Sequence, residues 1–310
     1  MNIAAEKRYS RVLDMEGRES VMLTSLRRGA VLAALLLVAV AASAAGPGAV
    51  RKQAEMAMQL SGQIDIAPDG SVEAVRLDQQ DRLSAELSRF VRSSVMGWTF
   101  VPVVRDGKPV AARSPLMLRL VGKRLEDGGT EVAIRSATFE AYDPQSRSAV
   151  TALKMTPPSY PRSMYEVGAQ GNVYLVVRVG RDGRVEDAYV EQVNMTVVAS
   201  EGQMRRFRQV LGGNALAAAR KWEFRVPVEG KDVDAPHWNV RVPVRYAVVD
   251  QGRSMPDEYG TWQAYIPGPR ERAPWISDED WENGSDALAD GGVYMAGRGG
   301  GPKLLTPLEG

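Results

Sequence analysis

The chain has 310 residues, enough for about two domains of ordinary size. Its hydrophobic fraction, 44%, is that of a globular protein. The 39 lysines and arginines nearly balance the 38 aspartates and glutamates, so charge gives no reason to expect nucleic acid as a partner. The absence of cysteine excludes disulfides, thiolate zinc sites, iron–sulfur clusters and a cysteine nucleophile.

Residues 1–44 have the pattern of an export signal. Arg27-Arg28 precede an apolar run over residues 30–41, and Ala42-Ser43-Ala44 follows as a cleavage site after Ala44. The alternative is a retained anchor, for which about 20 apolar residues are needed. Both interpretations place the body of the protein outside the cytoplasm. The charged residues before Met22 favour that methionine as the translation start.

Residues 53–121 form the first predicted unit. Residues 71–77 alternate between apolar and polar, which predicts a half-buried strand after the looser alternation of residues 58–66. Apolar residues then recur every three or four positions from 83 to 95, which predicts a helix. A further strand is predicted at 116–121. The predicted order is therefore β-β-α-β.

The connecting segment, residues 122–150, is too apolar for a flexible linker. Residues 132–134 and 138–142 favour a strand, and residues 143–148 favour a loop. We therefore expect this segment to pack on a neighbouring unit.

Residues 151–250 form the second predicted unit, which begins with a short helix between Pro161 and Gly168. Two strands follow, at 173–179 and 185–193. A helix is predicted at 203–211, and Gly212-Gly213 is predicted to end it. Asn214 is a suitable N-cap for a second helix that reaches Trp222.

The last strand of the second unit spans residues 239–246. Its apolar side chains share one face: Val240, Val242, Val244 and Tyr246. Arg241, Pro243 and Arg245 share the other. Because proline cannot donate a ladder hydrogen bond, the strand is predicted to be an edge strand, or the nitrogen of Pro243 to point out of the sheet.

Three pairs of motifs, in the same order, indicate that the two units are an internal repeat. Asp69-Gly70 corresponds to Asp182-Gly183, and Asp106-Gly107-Lys108 to Glu229-Gly230-Lys231. Between them, Trp98-Thr99-Phe100 corresponds to Trp222-Glu223-Phe224. We interpret Trp98 and Trp222 as core residues, since each alternates with a phenylalanine.

Residues 251–310 change in character, because glycine, proline and acidic residues dominate and apolar periodicity stops. We predict a mostly disordered tail. Five aromatic residues are unusual for such a tail: Tyr259, Trp262, Tyr265, Trp275 and Trp281. They either pack back on the folded body or form a short segment that binds a partner.

No catalytic, metal or cofactor site is predicted. The single histidine, His237, has no neighbouring ligands at metal-site spacing and is interpreted as a surface residue. Adjacent carboxylates such as Glu186-Asp187 would point to opposite faces of a strand, so they cannot act together. The sequence therefore predicts a protein that is not an enzyme.

The second unit resembles the C-terminal domain of TonB-family proteins over residues 155–248. The residues that carry the resemblance, and to which we assign structural roles, are Tyr160, Pro161, Gly171, Asp182, Gly183, Trp222 and Phe224. The first unit resembles a degenerate copy, in which Trp98 and Phe100 match and the Tyr-Pro opening is absent. The predicted fold is thus α+β, with two TonB C-terminal-like units and a disordered tail.

The resemblance implies a periplasmic domain whose last strand accepts an extended peptide from an outer-membrane receptor or another envelope protein. An unpaired strand edge supports such strand addition on physical grounds. The residues predicted to bind the partner are Asn239, Val240, Arg241, Val242, Val244, Arg245 and Tyr246. A retained anchor would associate the protein with the inner membrane.

Two departures from the family pattern leave alternatives open. The apolar run resembles a cleavable signal, and no proline-rich spacer separates it from the first unit. The alternative is a periplasmic scaffold protein whose two units pair with each other and consume their free edges. A hydrolase with an unrecognised site is a third interpretation.

Overall fold

The computed structural model describes residues 46–124, 129–249, 258–282, 286–296 and 301–308. It confirms the α+β class, since two antiparallel sheets each pack against a helix. The predicted signal or anchor in residues 1–44 lies outside the described residues. Within the described ranges, no helix is both long and apolar enough to cross a membrane.

The helices are α1 (Pro47–Arg51), α2 (Ala85–Met96), α3 (Arg162–Glu166), α4 (Glu201–Ala219) and α5 (Asp278–Glu282). A 3-10 turn spans Gln80–Arg82. The strands of the first half are β1 (Glu55–Ile66), β2 (Val72–Leu77), β3 (Val104–Arg105), β4 (Lys108–Pro109), β5 (Ala112–Arg124), β6 (Thr130–Thr138) and β7 (Thr151–Lys154). Those of the second half are β8 (Gly171–Gly180), β9 (Val185–Met195), β10 (Glu223–Arg225), β11 (His237–Tyr246), β12 (Gln263–Tyr265) and β13 (Tyr294–Met295).

The first sheet has the order β12-β1-β5-β6, and β2 pairs with β1 beyond β12. β1 and β5 pair antiparallel over their whole common length, from Met56 opposite Gly122 to Ile66 opposite Ala112. Helix α2 begins at the N-cap Ser84, whose side chain accepts from the Leu87 amide. It buries Val91 and Val95 against one face of the sheet, where the alternating apolar residues of β1 and β5 form the first core.

The second sheet has the order β13-β11-β8-β9. β8 is its centre and pairs with all of β11, from Gly171 opposite Tyr246 to Gly180 opposite His237. Its apolar residues Val173, Leu175, Val177 and Val179 are fully buried in the second core. Helix α4 covers this face with Met204, Phe207, Leu211, Ala215 and Ala219.

Helix α4 is continuous, so the predicted stop at Gly212-Gly213 and the predicted N-cap at Asn214 are wrong. The helix begins at Ser200, which forms a capping box with Gln203. At Gly212 the helix lies against Val190 of β9, and this packing holds the helix together despite the low helix propensity of glycine. Asn214 instead accepts a hydrogen bond from the Tyr246 hydroxyl, at 2.6 Å.

The two sheets share one local geometry at the Asp-Gly turns. Gly70 and Gly183 have φ values of 90° and 77°. The carbonyl oxygen of Gly70 accepts from the Phe100 amide, and that of Gly183 accepts from the Phe224 amide, each at 2.8 Å. The segments Trp98–Phe100 and Trp222–Phe224, which we call the W-x-F segments, therefore contact their Asp-Gly turns in the same way.

The connecting segment contacts both cores. Its strand β6 pairs with β5 and ends at Thr138, so the strand predicted at 138–142 does not extend to Tyr142. Phe139 packs edge-on against Phe100 in the first core, with ring centroids 4.9 Å apart. Val150 is buried in the second core, and β7 then pairs with β10.

The described part of the C-terminal region, residues 258–282, 286–296 and 301–308, packs along the body, and we call it the strap. This differs from the mostly disordered tail predicted for residues 251–310. β12 pairs with β1, Ile266 bridges to Met195 of β9, and Leu304 bridges to Phe100. The physical reason is apolar burial that composition did not indicate: Tyr265, Ile266, Ala273, Ile276, Ala287, Leu288, Val293 and Tyr294 are all buried.

The five aromatic residues named in the sequence analysis also contact the body. Tyr259 and Trp262 pack on the first core. Trp275 and Trp281 pack on a small third cluster with Val176, on the face of the second sheet opposite α4. Tyr265 is buried, with its ring 4.6 Å from the Arg119 guanidinium. The strap thus covers surfaces of both sheets.

Candidate functional site

The residues predicted to bind a partner lie on β11, and most of their side chains face inward. Val240, Val242, Val244 and Tyr246 are buried in the second core. Arg241 is buried on the opposite face of the sheet. Asn239 and Arg245 are half-buried. A partner at this strand would therefore meet its backbone first.

One hydrogen bond establishes which backbone groups of β11 point away from β8. The Asn239 carbonyl accepts from the Ala296 amide at 2.7 Å, on the side away from β8. Since successive strand residues alternate in direction, Arg241, Pro243 and Arg245 also turn their backbone groups away from β8. The missing N–H of Pro243 thus falls on the outer edge, and the ladder to β8 keeps its donors.

Strand β13 occupies part of this outer edge. Met295 lies opposite Val240, and Tyr294 lies opposite Arg241, in an antiparallel pair. Tyr294 packs against Tyr142, with ring centroids 6.3 Å apart. In the described part of the chain, no strand pairs with β11 on this side beyond Arg241.

A buried ion-pair cluster holds the strap against the other face of the second sheet. Glu191 of β9 accepts from Arg241 Nε at 2.8 Å and from Arg270 Nη2 at 2.7 Å. The side chains of Arg241 and Glu191 are 6% and 5% exposed, so this pair is shielded from water. Arg241 also donates to the Asp280 carbonyl, and Arg270 stacks on Trp281 with its guanidinium 4.0 Å from the ring centroid.

A cavity of 330 Å³ lies between the two sheets. Arg245 lines it and pairs with Glu258 and Asp290. Arg119 also lines it, donating to the Tyr174 hydroxyl at 3.0 Å and lying 3.3 Å from Asp286. Burial raises the pKa of Tyr174 to about 12, although Arg119 opposes the shift. Each cavity arginine thus has carboxylate partners within the chain.

The residues with predicted structural roles lie in or beside the second core, except Trp98 and Phe100, which lie in the first core. Trp222 is buried and donates from Nε1 to the Thr156 carbonyl at 2.8 Å. Tyr160 donates to the Ala169 carbonyl and stacks edge-on against Tyr246, with ring centroids 5.5 Å apart. Pro161 caps α3. A Cβ at Gly171 would lie 2.4 Å from the Asn194 carbonyl oxygen.

The remaining members of that set form the turn geometry described above. Asp182 accepts from the Arg184 amide at 3.0 Å. Phe224, Trp98 and Phe100 are buried. Among the described residues, no three histidine, aspartate or glutamate side chains are arranged to hold a metal ion. His237 opens β11, opposite Gly180.

Sequence reasoning missed three components of the site: Glu191, Arg270 and β13. Glu191 stood out only as a polar residue of an alternating strand. Arg270 follows a Pro-Gly-Pro segment, and β13 has two residues, too short for any alternation. No local signal could therefore have joined these residues to β11.

The fold is a mixed α+β arrangement in which β13 covers part of the outer edge of β11. Two relatives named Protein TonB, from two strains of Xanthomonas campestris pv. campestris (B100 and ATCC 33913), are 32% identical over 100 residues. The match covers 32% of this chain and 38% of each relative. No family model matches the chain.

A solved structure, the solution NMR structure of the Pseudomonas aeruginosa TonB CTD, is 22% identical, covers 37% of this chain and 100% of its own, and has a TM-score of 0.23. The sequence matches confirm the resemblance to TonB, and the chain contains a TonB-like C-terminal domain. Both relatives carry the name Protein TonB and neither name is that of an enzyme, in agreement with the sequence prediction. A match of 100 residues does not confirm the second copy predicted upstream.

Proposed function

We propose that this is an exported TonB-like protein that binds an extended peptide by strand addition to β11, in connection with outer-membrane receptor transport. The observation that carries the proposal is that the outer edge of β11 already receives a strand. The antiparallel pairing of β13 with Val240 and Arg241 supports the proposal, because an extended segment already forms a ladder with this edge.

The groups that a peptide would use are on the backbone. Beyond Arg241, the outer edge carries the Pro243 carbonyl and both backbone groups of Arg245. Main-chain hydrogen bonds of this kind supply affinity, and neighbouring pockets supply specificity. The buried side chains of Val242 and Val244 hold the strand rigid beneath the peptide.

We also propose that residues 53–121 are a second, degenerate TonB-like unit beside the unit at 151–250, joined by residues 122–150. The support is the shared turn, in which Gly70 and Phe100 form the same contact as Gly183 and Phe224. The predicted export signal, the periplasmic location and the alternative of an inner-membrane anchor belong to the same proposal.

The test of strand addition is peptide binding with backbone-methylated probes. Synthetic peptides from the N-terminal regions of outer-membrane receptors are titrated against the full chain. Two sets of peptides are N-methylated at alternate residues. One set lacks the N–H groups that would face β11, and the other lacks those that would face away from it. We expect one set to abolish binding and the other to leave it unchanged.

Equal effects from both sets would show that the peptide does not add as a strand. The probe must be altered on the peptide, because proline at Val242 or Val244 would remove an amide that faces β8 and so break the sheet. The compartment is tested by fractionation with N-terminal sequencing. A soluble product that begins at Ala45 supports the signal, and a membrane-retained product supports the anchor.

The scaffold interpretation remains the second candidate, because the strap covers several strand edges. β12 covers part of β1, and β13 covers part of β11. In the described residues the strands of the two sheets do not pair with each other, so the cover comes from the strap. A scaffold would bind none of the receptor peptides.

A further inference from the structure

We propose that residues 293–296 occupy the peptide site of β11 and that a partner must displace them. This inference rests on the function proposed above, and it also specifies the partner. The partner strand runs antiparallel to β11 and places a branched aliphatic residue followed by an aromatic residue where Val293 and Tyr294 lie. The chain thus holds its own substitute for the peptide.

The register of β13 places it on the backbone groups that a peptide would use. Tyr294 lies opposite Arg241 and Met295 opposite Val240, and the Ala296 amide donates to the Asn239 carbonyl at 2.7 Å. By alternation, the Tyr294 amide also faces β11, whereas the Met295 amide faces away. An incoming strand would need these same backbone groups, so the two cannot be bound together.

The side chains of this segment are buried beside the edge of β11. Val293 is 4% exposed and belongs to the second core, and Tyr294 is 3% exposed. The Tyr294 ring lies against Tyr142, and its hydroxyl donates to the Ala289 carbonyl. Two sites, one aliphatic and one aromatic, therefore flank the outer edge of β11, and they define the chemistry of a replacement.

β13 is short in comparison with β11. β13 matches only two residues of β11, whereas β8 matches all ten. The pairing with β11 stops at Tyr294, opposite Arg241. On the side of Pro243 the strap turns away at Gly291, whose φ is 74°. A peptide that stays extended there would also reach the Pro243 carbonyl and the backbone of Arg245. The partner can therefore begin where no described strand pairs with the edge, and then replace the shorter strand.

The experiment compares two proline variants of the full chain. Ala296→Pro removes the amide that bonds Asn239, and the matched control Met295→Pro removes an amide that faces away from β11. The first readout is amide hydrogen exchange at Arg241, whose N–H faces β13, against Val242, whose N–H faces β8. Far-UV circular dichroism verifies that both variants keep the fold.

We expect Arg241 to be protected in the unmodified chain and to exchange at least tenfold faster in Ala296→Pro, with Val242 unchanged. The control should differ by less than about threefold, since both prolines restrict φ alike. Rapid exchange at Arg241 in the unmodified chain would overturn the inference, because the edge would then be open.

The second readout is binding of a synthetic peptide of residues 288–296, which carries the strap's own sequence. Ala296→Pro should bind it at least tenfold more tightly than Met295→Pro does. In the control, β13 occupies the edge most of the time, and the apparent affinity falls in proportion to the fraction of molecules in which the edge is free. Equal affinities would overturn the inference. Receptor peptides are then tested on the same variants.

The receptor peptides separate the two proposals. Tighter binding to Ala296→Pro than to the control supports both. Equal binding to the unmodified chain and to both variants overturns the displacement while the proposed function stands. Binding of the 288–296 peptide with no binding of any receptor peptide overturns the proposed function, and the self-occupied edge stands.

Discussion

At the scale of single residues, the two glycines of the Asp-Gly turns combine a positive φ with a close backbone approach. A Cβ at Gly183 would lie 2.2 Å from the Phe224 carbonyl oxygen, and one at Gly70 would lie 2.1 Å from that of Phe100. Both also have positive φ, which costs an L-residue about 1–2 kcal/mol. We expect Gly183→Ala and Gly70→Ala each to lower the free energy of unfolding by more than about 2 kcal/mol in urea titrations.

Gly107→Ala is the matched control. This glycine has a φ of 75°, but a Cβ there would meet nothing within 4 Å. Its substitution should therefore cost only the backbone term, about 1 kcal/mol. Equal losses at all three glycines would show that the close approach of the W-x-F segment adds nothing.

Glu140 gives the stability of the protein a pH dependence. Burial raises its pKa from 4.5 to about 7, because desolvation disfavours the charged form. A raised carboxyl pKa stabilises the fold below pH 4.5, and this contribution is lost as the pH rises through about 7. We expect Glu140→Gln to exceed the unmodified chain in unfolding free energy at pH 8, by at most about 3 kcal/mol.

At pH 4 the two proteins should be equally stable in the same urea titration, because the carboxyl group is then neutral in both states. A constant difference between them at pH 4 and pH 8 would contradict this assignment. It would indicate a packing effect of the amide instead of a titration.

At the scale of elements, helix α4 contains a glycine, Gly213, at a position where a side chain would fit. Gly213 is exposed in mid-helix, and a Cβ there would meet nothing within 4 Å. Gly213→Ala should therefore raise the unfolding free energy by about 0.5–1 kcal/mol. Thermal and urea unfolding measure it. Gly212→Ala is the comparison, and its gain should be smaller because Val190 lies 3.4 Å from the new Cβ. A loss at Gly213 would contradict a continuous helix.

Elements defined by neighbouring residues were predictable from sequence. The spacing of apolar residues indicated α2. The apolar run at 173–179 indicated β8, and the alternation at 185–193 after the Asp-Gly turn indicated β9. The break predicted at Gly212-Gly213 was wrong, because a contact with Val190, more than 20 residues away in sequence, outweighs local propensity. The edge character of β11 was predicted from Pro243, whose missing N–H lies on the outer side.

At the scale of the whole molecule, sequence could not predict the strap. Its contacts join residues far apart, such as Glu55 and Tyr265, and its strands have two or three residues. Neither feature produces a periodic pattern, and glycine and proline conceal the buried apolar residues between them. The ion pairs of Glu191 with Arg241 and Arg270 are hidden for the same reason. β11 was thus predicted as a strand, but its cover by β13 was not.

The contribution of the strap to stability can be tested at Ile266, which lies in the region that composition predicted to be disordered. Ile266 is 1% exposed in the second core, and it exchanges backbone hydrogen bonds of 2.7 and 3.0 Å with Met195. Removing a buried isoleucine side chain costs about 2–5 kcal/mol. Ile266→Ala should therefore lower the unfolding free energy by that amount in urea titrations. Leu305 is in the same strap but 57% exposed, so Leu305→Ala should change it by less than about 0.5 kcal/mol. If both substitutions were neutral, the part of the strap around Ile266 would contribute nothing to the stability of the second core.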